Sequence, residues 1–281
     1  MKDIVVIYHD QCKDGFGSAY AAWKKFADTA SYLPLKAQAD LTQGLVDKEI
    51  YILDYSFDKE TLAALCATNK KVVVIDHHAS AQAVVTAFPA NIFDLAHSGA
   101  VLSWQYFHPS QAVPQLLLYI EDHDLWKFAL PHNQEINAAL RSEPSTFTRF
   151  DELAELLEQP EFFQQFVTTG AIIADLAEKH VTELLSFRER VLFEGVEVWA
   201  LNTDRTYRSI LGHRLAKLNE ATGGVPLGIV YYRTLGAVHI SLRSEGDVDV
   251  AEIATKYGGG GHQHAASIRV PDWLSLPFTY L

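Results

Sequence analysis

A short β-branched run that ends in an acid and two histidines is the feature that most constrains the fold. The run Val72–Ile75 is apolar at every position, which is typical of a strand buried on both faces of a parallel sheet. Asp76, His77 and His78 follow it directly. Because ligands of open α/β sheets bind beyond the carboxyl ends of the strands, this cluster is placed to hold a metal ion. A polar strand end with solvated histidines is the plainer alternative, and these residues alone leave it open.

Other predicted strands also end in polar side chains. Ile4–Tyr8 precedes a loop that runs from His9 to Asp14 and Gly15, and Ile50–Leu53 ends at Asp54. An ordinary loop or a capping acid explains each of these ends taken singly. The carboxyl ends of parallel strands meet at one edge of a sheet, however, and the strand ends together predict a shared ligand site there.

Two helix ends add candidates to this set. The segment Leu116–Ile120 leads into Glu121, Asp122, His123 and Asp124, which is an unusual density of acids where a helix is ending. The predicted helix that follows residue 97 begins at Ser98 and Gly99. Ser98 is either a helix cap or, with the exposed amides beside it, part of an anion site.

Length and charge limit the function classes. With 281 residues the chain is long enough for two domains, and it has 23 basic against 35 acidic residues, a net charge of −12. This balance argues against a grip on long duplex nucleic acid, which needs clustered cations, but allows a small phosphorylated ligand or a short oligonucleotide. No apolar run is long enough to span a membrane. Two cysteines and the absence of a signal-like start predict a cytoplasmic protein.

The periodicity predicts an α/β protein with two domains. A parallel-sheet domain covers residues 1–160, a helical linker covers residues 161–193 (its helical pattern running from Phe162 to Phe193), and a smaller α/β domain covers residues 194–281. The second domain contains a strand that ends at Arg243 and a glycine run, 258–261, before His262. Bare glycine amides form anion nests, although glycine runs are more often flexible turns. The apolar tail at 273–278 predicts docking on the second domain or on a partner subunit of a homodimer.

These motifs, in this order, resemble those of the DHH phosphoesterase superfamily, and more narrowly its members with a C-terminal DHH-associated domain. Such relatives include RecJ-type exonucleases and the nanoRNA or phosphoadenosine phosphatases. The resemblance covers nearly the whole chain. It rests on the motifs His9 to Gly15, Asp54, Asp76-His77-His78, Asp122, and Gly258 to His262.

The resemblance implies two manganese ions in the first domain, with magnesium or zinc as alternatives, and a substrate site in the cleft between the domains. The implied metal ligands are His9 for one ion, Asp14, His77 and Asp122 for the other, and Asp54 as a bridge. His78 would face the substrate, and Asp76 would orient a histidine. Asp54, His78, Arg243 and His262 would carry the catalysis. The implied substrate-binding residues are Ser98, Gly99, Arg243, Gly259, Gly260, Gly261 and His262.

One residue departs from the motif pattern of the family. The first motif usually carries two acids, and Cys12 stands at the position of the first. Cys12 could bind as a thiolate, which favours softer ions such as zinc, or Asp10 could replace the acid through a shifted loop. The interpretation we favour from the sequence is a weak ion position that fills with substrate bound.

The sequence therefore predicts a metal-dependent phosphoesterase in which two ions activate water for attack on phosphorus. The predicted substrate is a mononucleotide, a cyclic nucleotide or an oligonucleotide of a few residues. Two alternatives remain at this point. One is a nucleotide-binding regulatory module that lost its chemistry with the Cys12 replacement, and the other is a single-strand exonuclease.

Overall fold

The protein was analysed as a computed structural model, which describes residues 1–10, 12–35 and 44–281. The chain divides into two compact units, Met1–Ala174 and Asp175–Leu281. Each unit has its own sheet and its own apolar core. In the part of the chain that the structure describes, no helix combines the length and the apolar character needed to cross a membrane.

The first unit is built on a parallel five-stranded sheet, as the sequence predicts. Its strand order is β2-β1-β3-β4-β5, and every neighbouring pair is parallel. The central strands are buried because their residues are apolar on both faces. The strands are β1 (Ile4–His9), β2 (Ala30–Leu35), β3 (Glu49–Leu53), β4 (Lys71–Asp76) and β5 (Ile92–Phe93).

Helices cover the sheet of the first unit, and small residues let two of them approach closely. Helix α1 packs against α4, where a Cβ atom on Gly17 would lie 2.9 Å from the Cβ of Ala100. The helices are α1 (Lys13–Phe26), α2 (Lys59–Thr68), α3 (Gln82–Val85), α4 (Gly99–Phe107), α5 (Gln115–Asp124), α6 (Asn133–Ser142) and α7 (Phe147–Leu156).

The predicted linker helix is shorter than expected. Helix α8 spans Pro160–Leu185, and the next residues form strand β6 (Glu189–Phe193). The prediction that the helix continues to Phe193 is therefore wrong. Within β6 the buried side chains are Val191 and Phe193, which alternate with more exposed neighbours. This alternation is typical of a half-buried strand. Over five residues, however, the sequence pattern does not distinguish such a strand from the end of a helix.

The second unit carries a seven-stranded sheet in the order β10-β11-β9-β8-β7-β6-β12. Only β7 and β8 pair in parallel; the other neighbours in this described sheet are antiparallel. The C-terminal tail adds β12 to the sheet edge beside β6 and buries Phe278 in this unit. Its remaining elements are β7 (Val196–Asn202), α9 (Arg208–Ala221), β8 (Leu227–Thr234), β9 (Ala237–Ser244), α10 (Val250–Lys256), β10 (Gly260–His262), β11 (Ala265–Val270) and β12 (Phe278–Tyr280).

Candidate metal centre

The candidate metal centre lies at the carboxyl edge of the first sheet. Strands β1 and β4 end at His9 and Asp76, and Asp54 comes directly after β3. The backbone of Asp54 has φ 55°, in the left-handed region that few residues other than glycine adopt, and its amide donates to the carbonyl of Ile75 at 2.8 Å. A strained backbone held by its surroundings at a strand end is typical of a functional site.

The donor atoms at this edge form three overlapping groups. In each group the donor atoms lie within 4.8 Å of one another. The groups are His9, Cys12 and Asp54; Asp54, His77 and His78; and Asp14, His77 and Asp124. Asp54 and His77 each belong to two of them, so the three groups make one continuous cluster.

Asp54 lies at the middle of the cluster and is almost fully buried, with 1% of its surface exposed. Its Oδ1 is 3.2 Å from Nε2 of His77, and its Oδ2 is 3.2 Å from Nδ1 of His9. Burial opposes ionisation of this carboxyl, but its close contacts with His77 and His9 outweigh that effect, and the pKa of Asp54 lies below its usual range. The side chain is thus a carboxylate available to a cation on either oxygen.

Asp14 is held by the N-terminus of helix α4. Its carboxylate accepts hydrogen bonds from the amides of Gly99 at 2.8 Å and Ala100 at 3.0 Å. Burial, followed by the nearby carboxylates of Asp54 and Asp124, raises the pKa of Asp14 well above its ordinary value. Asp14, Asp54 and Asp124 repel one another when all three are ionised. A positive charge among them would favour their joint ionisation.

At the start of α4, where the sequence predicts a helix cap or an anion site, the carboxylate of Asp14 already occupies the amides. The amide of Gly99 is directed to this carboxylate. Ser98 is fully buried, accepts from the amide of Val101 as the cap of α4, and donates its own amide to Glu121. Both residues therefore contact buried acids at the edge of the candidate metal centre.

Gly99→Ala is expected to disrupt the cluster, since a Cβ atom there would lie 2.7 Å from the Cβ of Asp54 and 3.0 Å from Oδ2 of Asp14. Moving these donors should weaken Mn²⁺ binding at least about tenfold, measured by calorimetry. Thr146→Ala is the control, because it removes the N-cap of α7, also worth about 1 kcal/mol, at a residue that belongs to no donor group of the described residues. Equal loss of Mn²⁺ affinity in both variants would contradict this expectation.

The predicted ligand Asp122 has protein partners of its own. Its buried carboxylate accepts hydrogen bonds from the amides of Ala129 at 2.9 Å and Leu130 at 3.1 Å, and from Nδ2 of Asn133 at 2.6 Å. It belongs to none of the donor groups formed by the described residues. The acid that reaches the cluster is Asp124, whose Oδ2 is 3.6 Å from Nε2 of His77.

Helix spacing is the signal that favours Asp124. In α5, Ile120 packs towards Gly17 of α1, and Asp124 lies four residues further on the same helix face. Asp14 lies three residues before Gly17 on α1. The two acids are therefore on the facing sides of two helices in contact, whereas Asp122 is rotated towards α6.

Cys12 lies inside the cluster at the start of α1. Its Sγ is 3.5 Å from both Nδ1 of His9 and Oδ2 of Asp54, and it accepts a hydrogen bond from the amide of Gly15 at 3.1 Å. Burial, followed by the charge of Asp54, raises the pKa of this thiol in the metal-free protein. Asp10 joins no donor group within the described ranges, so the structure gives no support to a shifted loop.

Asp76 contacts the imidazole ring of His78, whereas it contacts His77 through the backbone amide. Its Oδ1 is 2.7 Å from Nδ1 of His78 and also accepts from the amides of His77 and His78. Burial disfavours the charged imidazole, but the bond to Asp76 outweighs it, so the pKa of His78 is raised. The resulting geometry fixes the orientation of the His78 ring.

The second unit contains the predicted phosphate-binding residues. Arg243 is buried, donates from Nη1 to the carbonyl of Leu242 at 2.8 Å, and donates from Nη2 to Oγ of Ser209 at 2.9 Å. Burial, and then the charge of Arg208, lowers its pKa to about 10. Arg243, which lies on β9, thus remains a cation at neutral pH, and its guanidinium contacts the start of α9 at Ser209.

The glycine run has two different roles in packing. A Cβ atom on Gly259 would lie 2.1 Å from the carbonyl of Ser267, and one on Gly261, with φ 153°, would lie 2.4 Å from the carbonyl of Ala265. These two glycines are required for the close approach of β11. A Cβ atom on Gly258 or Gly260 would meet open space, so these two members of the run leave room for a ligand.

The cluster of the first unit fits divalent metal ions. It combines carboxylates, imidazoles and one thiol within metal-binding distance of one another. The buried Oδ1 of Asp54 has no hydrogen bond of good geometry in spite of its neighbours. An orphaned carboxylate oxygen among mutually repelling acids is the arrangement that a cation relieves.

Several known proteins resemble this chain over part or most of its length. Residues 205–278 match the DHHA1 domain family. An uncharacterized protein of Acanthamoeba polyphaga mimivirus is 28% identical over 287 residues, which are 94% of this chain and 66% of that protein. Oligoribonuclease NrnB of Bacillus subtilis is 25% identical over 193 residues, which are 62% of this chain and 44% of that protein. The chain thus spans just under two thirds of the length of the first relative and under half of the second.

A solved structure shows the same fold. The DHH domain of a protein described as a member of a family of ribosomal proteins aligns with 100% of this chain and 83% of its own, at a TM-score of 0.58 and 13% identity. The resemblance to the DHH superfamily that the motifs predict is therefore supported by the DHHA1 match in the second unit and by the fold shared with a solved DHH domain.

Proposed function

We propose that the chain is a metal-dependent hydrolase that cleaves phosphoester bonds of small nucleotides or oligonucleotides of a few residues. The observation that carries this proposal is the gathering of His9, Asp14, Asp54, His77 and Asp124 into one partly buried cluster. Similarity to an oligoribonuclease supports the substrate class. The proposed ions are divalent, with Mn²⁺ first and Mg²⁺ or Zn²⁺ as alternatives.

The proposed roles follow from the three donor groups. His9, Cys12 and Asp54 would hold one ion, and Asp14, His77 and Asp124 the other, with Asp54 between them. When bound, such ions lower the pKa of water and offset the charge of a phosphoryl group. His78, fixed by Asp76 and favoured in its charged form, would donate from Nε2 to a phosphate oxygen.

A basic face of the second sheet supports a nucleotide substrate. Tyr232, His239 and Arg269 are cross-strand neighbours on β8, β9 and β11, and so share one face. The rings of Tyr232 and His239 stack at 5.1 Å with an interplanar angle of 11°. Burial and the neighbouring arginines, Arg269 foremost, lower the pKa of His239. Arg243 lies on the same face of β9, four residues from His239. Cations and an aromatic pair therefore share this face, which is the combination that proteins use to bind single-stranded nucleic acid.

Arg269→Ala is expected to raise KM for a trinucleotide several-fold and to leave turnover of bis-nitrophenyl phosphate unchanged, because the small ester lacks the bases and further phosphates that this face would bind. Arg233→Ala is the matched control. Arg233 is an exposed arginine next to Tyr232, hence on the opposite face of the same hairpin. Steady-state kinetics on both substrates make the comparison. Equal effects of the two variants on the trinucleotide would argue against this face as the binding surface.

The test of the proposed function is product release from a substrate panel. The panel contains 3′,5′-bisphosphate nucleotides, cyclic mono- and dinucleotides, RNA and DNA of two to five residues, and bis-nitrophenyl phosphate. Each substrate is incubated with Mn²⁺, Mg²⁺, Zn²⁺ or EDTA. Turnover that requires a divalent ion supports a hydrolase and identifies the substrate. Nucleotide binding by calorimetry without turnover on any member would overturn the enzyme proposal in favour of a binding module.

A further inference from the structure

The two ends of the candidate metal centre differ in chemistry. The group of Asp14, His77 and Asp124 offers only oxygen and nitrogen donors, whereas the group of His9, Cys12 and Asp54 includes sulfur. Carboxylate and imidazole sites accept Mn²⁺ and Mg²⁺ readily, but a thiolate selects softer ions such as Zn²⁺. The difference in donors predicts a difference in the ions held.

Cys12 lies at the start of helix α1, with its sulfur among the other donor atoms of this group. It is the N-cap of the 14-residue helix, and its Sγ accepts the amide hydrogen of Gly15. The same Sγ faces His9 and Asp54 at 3.5 Å, so no large movement is needed for the three to share one ion.

We propose that Cys12 is a metal ligand, so that the centre has one position selective for a thiophilic divalent ion such as Zn²⁺ and one for a hard ion such as Mn²⁺. This inference rests on the proposed function only in assuming a centre for two ions. As the thiophilic ion binds, the S–H of Cys12 loses its proton to solvent and a sulfur–metal bond forms.

Cobalt spectroscopy of the full chain tests the ligand directly. The metal-free protein is titrated with Co²⁺, and a thiolate ligand produces a sulfur-to-cobalt charge-transfer band in the near ultraviolet. The band is expected in the wild type and in Cys66→Ser, since Cys66 is exposed on α2 and lies in no donor group of the described residues. It should be lost in Cys12→Ser and Cys12→Asp. Serine and aspartate both serve well as N-caps, so these variants are expected to fold.

Competition between ions tests the selectivity. After dialysis against equal Zn²⁺ and Mn²⁺, elemental analysis should find both metals in the wild type. Cys12→Ser should bind Zn²⁺ at least about tenfold more weakly. Cys12→Asp should shift the content from Zn²⁺ towards Mn²⁺, because a carboxylate replaces the soft donor. Unchanged Zn²⁺ affinity in Cys12→Ser would overturn the inference, as would cobalt bound by the wild type without the charge-transfer band.

These measurements do not depend on turnover. A wild type that shows the cobalt band and cleaves no substrate would retain the Cys12 ligand and refute the proposed hydrolase. A wild type that hydrolyses nucleotides with Mn²⁺ and shows no cobalt band would support the proposed hydrolase and refute Cys12 as a metal ligand.

Discussion

Asp54→Asn is expected to lower metal-dependent turnover by at least about 10²–10³-fold, the scale on which loss of a single charge-stabilising group is felt in an active site. Asp54 is buried and belongs to two of the three donor groups, so it joins the group of His9 and Cys12 to that of His77 and His78. An amide has nearly the same shape but lacks the negative charge and offers one oxygen in place of two. The variant should therefore also bind fewer ions, measured by elemental analysis after Mn²⁺ loading.

Asp58→Asn is the matched control for this substitution. Asp58 is the exposed N-cap of α2, four residues further along the chain, and its carboxylate accepts from the amide of Thr61 at 2.8 Å. Asparagine is as good an N-cap as aspartate, so stability, ion content and turnover should all match the wild type. An Asp54→Asn protein with two bound ions and full turnover would show that the cluster is not the active centre.

The strands of the first unit could be predicted from sequence because a strand buried on both faces leaves an uninterrupted apolar run. Val72–Ile75 and Ile50–Leu53 are such runs, and both lie in the sheet as expected. For the same reason, the polar residues that end these runs could be assigned to one sheet edge. Strand β2 could not be predicted in this way, because Ser31 and Pro34 interrupt its apolar pattern.

The geometry of the site differs from the sequence-based expectation where a contact from elsewhere in the chain decides the partners of a residue. Ser98 and Gly99 have the sequence of an anion-binding helix start, but Asp14, brought there by α1, takes the amides. Asp122 and Asp124 are two residues apart, and local sequence does not distinguish them. Their roles depend on which neighbouring helix each one faces, which is a property of tertiary packing.

Asp122→Ala is expected to lower the free energy of unfolding by about 3–5 kcal/mol, because three donors around a buried carboxylate lose their acceptor and each unsatisfied group costs about 1–3 kcal/mol. Asp124→Ala should leave the unfolding free energy of the metal-free protein unchanged or slightly higher. Burial and the charge of Asp54 raise the pKa of Asp124, so its removal relieves repulsion in the absence of a cation. Urea denaturation in EDTA measures both values without a contribution from bound ions.

Mn²⁺ titration of the same variants should rank them in the opposite order, with the larger loss of ion binding in Asp124→Ala. Asp124→Ala should lose the ion held with Asp14 and His77, and with it the stabilisation that Mn²⁺ gives to the wild type, which is about 2.7 kcal/mol at 100 times Kd. Asp122→Ala, studied at a temperature where it is folded, should bind Mn²⁺ as the wild type does. If Asp122→Ala were as stable as the wild type in EDTA and had lost an ion, Asp122 would be the ligand and the orientation of α5 would be wrong.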